Sequence, residues 1–225
     1  MEEKYQKIME IVKEELSCSA HNMEHILRVY NLCLHVAEEE PDVDLDVLKT
    51  AALLHDIARV KEDNDDSGDI DHAVLGAEMA GDILASLGYN KDTTDKIRHC
   101  IATHRFRSVN EPETKEAQIL FDADKLDIFG AIGIARLFII AGQYDESTYS
   151  DVPVDEYIKD NLVGGKSDGR IKVMSEHSPN LEFETKIRYI PQRLYTPKAK
   201  EIGQERLEYM SRFFERMKKE ISGEI

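Results

Sequence analysis

Apolar residues recur at the helical period along most of this chain, whereas runs of alternating β-branched residues are nearly absent. In residues 22–39 one stripe holds Ile26, Val29 and Cys33. Similar stripes occur in residues 45–58, 73–87, 93–104 and 114–129. Helices with one apolar face bury that face against one another. The pattern therefore predicts an all-α fold in which these helices share a core.

The rest of the chain follows from the same kind of pattern. The nearly all-apolar residues 131–141 predict a buried helix, and residues 197–221 predict an amphipathic, charged C-terminal helix. Periodicity weakens over about residues 142–195, where turn-forming clusters predict short helices and loops, a candidate lid or substrate region. A length of 225 residues suits one domain, so we predict a single domain over residues 1–225.

The charge balance is strongly acidic. There are 45 Asp and Glu residues against 29 Lys and Arg, which gives a formal net charge of -16. A negative chain repels the phosphates of a nucleic acid, so we do not expect this protein to bind a nucleic-acid scaffold. A site for a small phosphorylated ligand would need metal ions and local Arg or Lys to reverse the potential.

Other features bear on the compartment. The three cysteines, Cys18, Cys33 and Cys100, lack the close pairing of a zinc knuckle or a disulfide framework, which favours a reducing interior. The N-terminal segment has no apolar signal-peptide core. The longest apolar run contains Arg136 and is far shorter than the ~20 residues of a spanning helix. We expect a cytoplasmic protein without membrane association, and a homo-oligomer is compatible with the sequence.

Polar residues interrupt three of the apolar stripes at His55, His104 and Asp124. A buried imidazole or carboxylate without a partner is costly, so each of them needs a hydrogen bond, an ion pair or a metal. A shared metal would satisfy several of them together. The alternative for each one alone is a core residue that is satisfied locally.

The spacing of these residues forms a motif. His25 lies in HNMEHILRVY, the adjacent His55 and Asp56 lie in LLHDIARV, and Asp124 lies in FDADKLDIFG. A His, then a His-Asp pair, then a distant Asp on consecutive helices resembles the HD superfamily of metal-dependent phosphohydrolases. The resemblance covers roughly residues 20–130. Neighbouring residues that support it are Arg28, Val29, Leu53, Leu54, Ala123, Lys125 and Leu126.

The resemblance implies a helical bundle of the HD-domain type with a divalent metal bound by His25, His55, Asp56 and Asp124. Imidazole and carboxylate ligands suit Mn, Fe, Co, Ni or Zn better than Ca, and four protein ligands leave positions open for water and a phosphate oxygen. Asp122 and Asp127 are alternatives to Asp124. We prefer Asp124 because it lies in the Ala-Asp-Lys-Leu context and on the apolar stripe.

Additional histidines raise the question of a second ion. His72 in DHAVLGAE and His104 in IATHRF follow the His-Asp pair, as the extra histidines do in dinuclear branches such as the HD-GYP group. In that arrangement Asp56 would bridge the ions, and His72 and His104 would bind the second one. Alternatively, His72 caps its helix and His104 binds substrate or water. His21 fits a cap or a contact behind the ligands, and His99 fits a solvated position.

The basic residues that the net charge requires lie beside the predicted ligands. Arg59 and Lys61 follow the His-Asp pair, Arg105 and Arg107 follow His104, and Lys125 follows Asp124. Guanidinium groups bind phosphate with two hydrogen bonds, whereas Lys supplies a point charge. We predict substrate binding by Arg59, Arg105 and Lys125, and catalytic roles for Asp56, Arg59 and Lys125. For each cation the alternative is a surface charge.

The chain departs from two known branches of the family. Arg59 stands three residues after the Asp of the His-Asp pair, where the similar bacterial deoxynucleotidases carry Glu. The GYP signature of cyclic dinucleotide hydrolases is absent from the sequence. The resemblance therefore implies neither nucleotide specificity nor cyclic dinucleotide cleavage.

The predicted activity is hydrolysis of a phosphoester, in a nucleotide or a small phosphorylated metabolite, by a metal-activated water. One alternative is a dinuclear iron oxygenase, which would consume O₂ when loaded with iron. Another is a non-catalytic binding module, in which chelation lowers the melting temperature but no substrate is turned over.

Overall fold

A computed structural model describes residues 2–16, 23–105, 111–167 and 169–225, and these residues are mainly helical. Within those ranges the only β-structure is an isolated bridge between Leu162 and Ile171. The predicted all-α fold is confirmed. The α-helices are α1 Glu3–Glu15, α2 Met23–Ala37, α3 Leu45–Leu54, α4 Arg59–Asp63, α5 His72–Ser86, α6 Lys91–Thr103, α7 Lys115–Leu126, α8 Gly130–Gln143, α9 Val154–Asn161, α10 Pro179–Thr185 and α11 Pro197–Ile221.

The chain forms two compact units. The first comprises Met1–Leu126 and Tyr195–Ala199. Its core lies where α2, α3, α6 and α7 pack together, as the apolar stripes predicted, and Ile26, Leu48 and Ile97 are fully buried there.

Local sequence signals set the ends of these helices. The Asp44 side chain caps α3, and the Asn90 side chain caps α6, by accepting backbone N–H groups of the first turn. Gly88 follows α5 with φ +80°, and the N–H of Tyr89 donates to the carbonyl of Leu84. Gly88 therefore ends the helix as a left-handed cap.

The second unit comprises Asp127–Leu194 and Lys200–Ile225. Between residues 142 and 195 it contains α9, α10 and short 3₁₀ helices at Val163–Gly165, Met174–Glu176 and Ile187–Arg193. A small core there is built on Tyr157, Leu162 and Leu181. The predicted short helices of this region are confirmed, whereas its role as a lid stays a prediction. The single domain over residues 1–225 also stays a prediction.

Helix α8 differs from its predicted burial. Gly133, Ile134 and Ala141 are buried, but Ile132 is 43% and Ile139 62% exposed. An all-apolar run carries no signal for which face packs, so the sequence could not show that only one face would be covered. The predicted burial is therefore wrong for the exposed face.

Within the described residues, none of the helices taken singly is long and apolar enough to cross a membrane. Helices α7 and α8 reach that length and composition only as a bent pair.

Candidate metal centre

The residues of the predicted motif meet within the first unit. His25 lies on α2, His55 and Asp56 directly follow α3, and Asp124 lies on α7. His25 Nε2 is 3.3 Å from His55 Nε2, 3.5 Å from Asp56 Oδ2 and 3.4 Å from Asp124 Oδ1. His55 Nε2 lies 3.7 and 3.9 Å from the same two oxygens. The structure thus brings the four predicted ligands together.

The additional histidines form a second trio with Asp56. His72 is the first residue of α5, and His104 directly follows α6. Their Nε2 atoms are 3.3 Å apart, and each lies 3.5 Å from Asp56 Oδ1. Asp56 therefore turns one carboxylate oxygen to His25 and His55 and the other to His72 and His104.

Hydrogen bonds on the far side of the rings define the tautomers of three histidines. The Nδ1 atoms of His55 and His104 donate to backbone carbonyls at 2.8 and 2.6 Å. His72 Nδ1 lies 2.7 Å from Glu62 Oε2. A neutral imidazole that donates through Nδ1 keeps a bare lone pair on Nε2. All three Nε2 atoms therefore face the carboxylate of Asp56 as acceptors.

This convergence of acceptors fits a divalent ion. Lone pairs and carboxylate oxygens repel one another unless a cation or a proton lies between them. With a metal–ligand distance of about 2.1 Å, ligand atoms are about 3.4 Å apart at a tetrahedral angle and about 3.0 Å at a right angle. The separations of 3.3 to 3.5 Å among His72, His104 and Asp56 agree with such a geometry.

Burial and nearby charges keep the two imidazoles neutral and the Asp124 carboxylate ionised, the forms that bind a cation. Burial lowers the pKa of His55 and of His72 to about 4, so both imidazoles are neutral at pH 7. Burial opposes ionisation of Asp124, but the Lys125 ammonium holds the pKa of that carboxyl well below its usual range. Lys125 Nζ donates to Asp124 Oδ2 at 2.6 Å, which leaves Oδ1 toward the histidines.

The predicted phosphate-binding cations lie near the site but already contact acidic groups. Arg59 Nη1 is 2.8 Å from Glu62 Oε2. Arg105 Nη1 is 2.8 Å from Glu62 Oε1 and 2.8 Å from Asp71 Oδ2. Lys125 also donates to the backbone carbonyl of His104, at 3.0 Å. Phosphate binding by these three side chains stays a prediction.

The two alternatives to Asp124 have other partners. The fully buried Asp122 carboxylate accepts the N–H groups of Tyr195 and Thr196 at 2.9 and 2.7 Å. Asp127, in the second unit, accepts a hydrogen bond from Arg136. The geometry thus agrees with the choice of Asp124.

One alternative for a single histidine is contradicted. The cap of α5 is Asp71, which accepts the N–H groups of Ala73 and Val74, so His72 does not cap its helix. His99 is half-buried, and its Nε2 accepts the N–H of Glu113 at 3.1 Å in an exposed contact. His21 and Arg107 lie outside the described residues.

Glu62 is the residue at this site that the sequence did not indicate. It follows Arg59 by three positions in a charged segment, the usual pattern of an exposed helical ion pair. The hydrogen bond to His72 joins residues 10 positions apart and leaves no local signal.

Comparisons with known proteins agree with this geometry. Residues 22–128 match the HD domain family. The chain is 30% identical over 209 residues to the uncharacterised protein YpgQ of Bacillus subtilis, covering 91% of this chain and 86% of YpgQ. It is also 32% identical over 120 residues to ribonuclease Y of Chloroflexus aurantiacus, covering 53% of this chain and 21% of that protein.

Solved structures show the same fold. The crystal structure of Bacillus subtilis YpgQ in complex with ADP gives a TM-score of 0.71 at 28% identity, over 97% of this chain and 98% of that one. An HD-superfamily hydrolase from Bacillus thuringiensis gives a TM-score of 0.71 at 27% identity, over 98% and 97% of the two chains.

The matched range contains every residue of both histidine sets. HD domains bind divalent metals, and the two His and Asp clusters could hold them. The likeness to HD-superfamily hydrolases supports a hydrolase. This chain belongs to the HD-domain family.

Proposed function

We propose that this chain hydrolyses a phosphoester bond in a nucleotide or a small phosphorylated metabolite, with one or two divalent ions of Mn, Fe, Co, Ni or Zn. The observation that carries the proposal is the Asp56 carboxylate, whose oxygens face two sets of buried imidazoles. A bound divalent ion would lower the pKa of its water toward about 7 and neutralise a phosphate oxygen.

The residues of the site would have separate roles in metal binding, proton transfer and charge stabilisation. His25, His55 and Asp124 would bind one ion, His72 and His104 the other, and Asp56 both. Asp56 is also the proposed acceptor of the water proton. Arg59 and Arg105 have N–H donors beyond those that contact Glu62, because a guanidinium carries five, and with Lys125 they would stabilise charge on the phosphate.

The relatives support a phosphate-containing substrate. YpgQ was crystallised with ADP, which favours a nucleotide. A ribonuclease cleaves phosphodiester bonds, and the likeness to ribonuclease Y favours phosphoester chemistry at the shared fold. The net charge of -16 favours a small substrate over a long polyanion.

The test is phosphate release from a panel of nucleotides and small phosphoesters, with Mn, Co, Ni, Mg, Fe or Zn added. We expect metal-dependent release by the wild type and a loss of at least about 100-fold in Asp56→Ala, since both ligand sets lose an oxygen. Asp66→Ala, which removes an exposed carboxylate from the nearby loop, is the matched control and should retain activity.

Metal-free release, or full activity in a folded Asp56→Ala variant, would contradict the proposal. O₂ consumption by the iron-loaded protein without phosphate release would favour the oxygenase. A melting temperature that rises with metal, without turnover of any substrate, would favour the binding module.

A further inference from the structure

The Glu62 carboxylate connects the second trio to two guanidinium groups. Its Oε2 is 2.7 Å from His72 Nδ1 and 2.8 Å from Arg59 Nη1, and its Oε1 is 2.8 Å from Arg105 Nη1. The side chain is only 17% exposed. One partly buried carboxylate thus accepts hydrogen bonds from an imidazole and one arginine and forms an ion pair with a second arginine.

The contacts of His72 Nδ1 determine which ring nitrogen carries the proton. Arg59 Nη1 lies 3.2 Å from Nδ1, but Glu62 Oε2 is closer, at 2.7 Å, and bears a charge. A carboxylate oxygen can only accept, so this shorter hydrogen bond is donated by Nδ1 to Glu62. The proton is then on Nδ1, and the bare Nε2 faces His104 and Asp56.

Arg105 extends the connection to the helix that carries His72. The same Nη1 that contacts Glu62 also lies 2.8 Å from Asp71 Oδ2. Asp71 caps α5, and His72 is the first residue of that helix. The side chain of His72 is therefore oriented by Glu62, and its backbone by the cap that Arg105 contacts.

We propose that Glu62 is a positioning residue for a second metal ion. It fixes the tautomer and orientation of His72, and Arg59 and Arg105 act in part by holding Glu62 in place. A carboxylate behind a ligating imidazole also raises the basicity of the ligand nitrogen. The inference rests on the proposed function only in placing a divalent ion at the second trio, not in the choice of substrate.

Measurements of metal binding test the proposed role of Glu62 directly. Mn²⁺ would be titrated into Glu62→Ala, Glu62→Gln and wild type by calorimetry, with bound metal counted by elemental analysis. We expect two ions in the wild type, a loss of about 10- to 100-fold in affinity for one of them in Glu62→Ala, and little change for the other. Glu62→Gln should lose less, because its amide oxygen still accepts from Nδ1. The Asp63 carboxylate lies on the same helix, 3.2 Å from Arg59 Nε. Asp63→Asn is therefore the matched control, and it should bind Mn²⁺ like wild type.

Unchanged binding of two ions in Glu62→Ala would overturn the inference, and so would equal weakening of both ions, which a general loss of structure would produce. Melting curves of Glu62→Gln, the more conservative variant, separate misfolding from a local effect. A wild type that hydrolyses phosphoesters with one ion would overturn this inference and leave the proposed function intact. If Glu62→Ala weakens one ion as expected but the wild type hydrolyses no phosphoester, the inference stands and the proposed function is overturned.

Arg105→Ala tests the arginine part of the inference. In the same Mn²⁺ titration we expect Arg105→Ala to bind one of the two ions more weakly and the other with little change, because Glu62 loses one of the groups that hold it. A KM that rises at saturating metal, with unchanged metal affinity, would assign Arg105 to substrate binding alone.

Discussion

Asp122 and Asp124 lie two residues apart on α7 and have different partners. Asp122 is fully buried and accepts the Tyr195 N–H and both the N–H and the hydroxyl of Thr196. These hydrogen bonds satisfy a charge that would be costly to bury alone. Asp122 therefore joins the segment before α11 to the helix that carries Asp124.

We expect Asp122→Ala to lower the free energy of unfolding by about 3 kcal/mol, because buried N–H groups lose a charged acceptor. Asp122→Asn retains one acceptor oxygen and should lose about 1 to 2 kcal/mol. Urea unfolding measures both, with the exposed Asp66→Ala as a control that should stay within about 0.5 kcal/mol of wild type. If Asp122→Ala lost no more stability than the control, within about 0.5 kcal/mol of wild type, water would have replaced the carboxylate.

At the scale of elements, a polar network connects the short helices of the second unit. The Tyr157 hydroxyl on α9 lies 2.6 Å from His177 Nδ1, and His177 Nε2 lies 3.2 Å from Glu182 Oε2 on α10. Lys186 Nζ donates to the same oxygen at 2.8 Å. Burial favours the neutral form of Glu182, but the hydrogen bond from His177 and the Lys186 ammonium lower its pKa below the usual value.

This lowered pKa predicts a pH effect on stability. The unfolded chain, in which the pKa of Glu182 is about 4.5, binds the proton more readily than the folded one. The contribution is therefore present above about pH 4.5 and is lost as the pH falls through the folded-state pKa. Glu182→Gln should lower the free energy of unfolding by about 1 to 2 kcal/mol at pH 7 and flatten its fall below pH 4.5.

Urea unfolding between pH 3.5 and pH 7 measures the effect. Glu184 lies on the same helix as Glu182 and pairs with Arg188 instead. Glu184→Gln is therefore the matched control and should retain the wild-type slope. Parallel profiles for wild type and Glu182→Gln would contradict the prediction.

At the scale of the whole molecule, metal binding should raise the stability of the folded chain. An ion that binds only the folded chain stabilises it by about 2.7 kcal/mol at a hundred times its Kd, which raises the Tm of a chain of this size by about 5 to 10 °C. We expect Mn²⁺ to produce this shift in a calorimetric scan and a chelator to reverse it. In Asp56→Ala, which removes an oxygen from each ligand set, the shift should be absent; an equal shift there would place the ion elsewhere.

Helical periodicity predicted the helices that position the site. Stripes such as Ile26, Val29 and Cys33 recur because each helix must bury one face, and that requirement is local enough to appear in the sequence. His55, His104 and Asp124 stood out because they interrupt such stripes with groups that are costly to bury. Helix α8 shows the limit, since an apolar run does not reveal which face is covered, and Ile139 is exposed.

The sequence by itself thus determined the all-α class, the membership in the HD family and the residues that converge at the centre. Only the tertiary structure decided which atoms face one another. The Asp56 oxygens face different histidines, Glu62 contacts His72 10 residues away, and Asp122 accepts hydrogen bonds from Thr196, 74 residues away. The reason is physical, because periodicity records the burial of a side chain, whereas the direction of a carboxylate depends on groups that are close only in the folded chain.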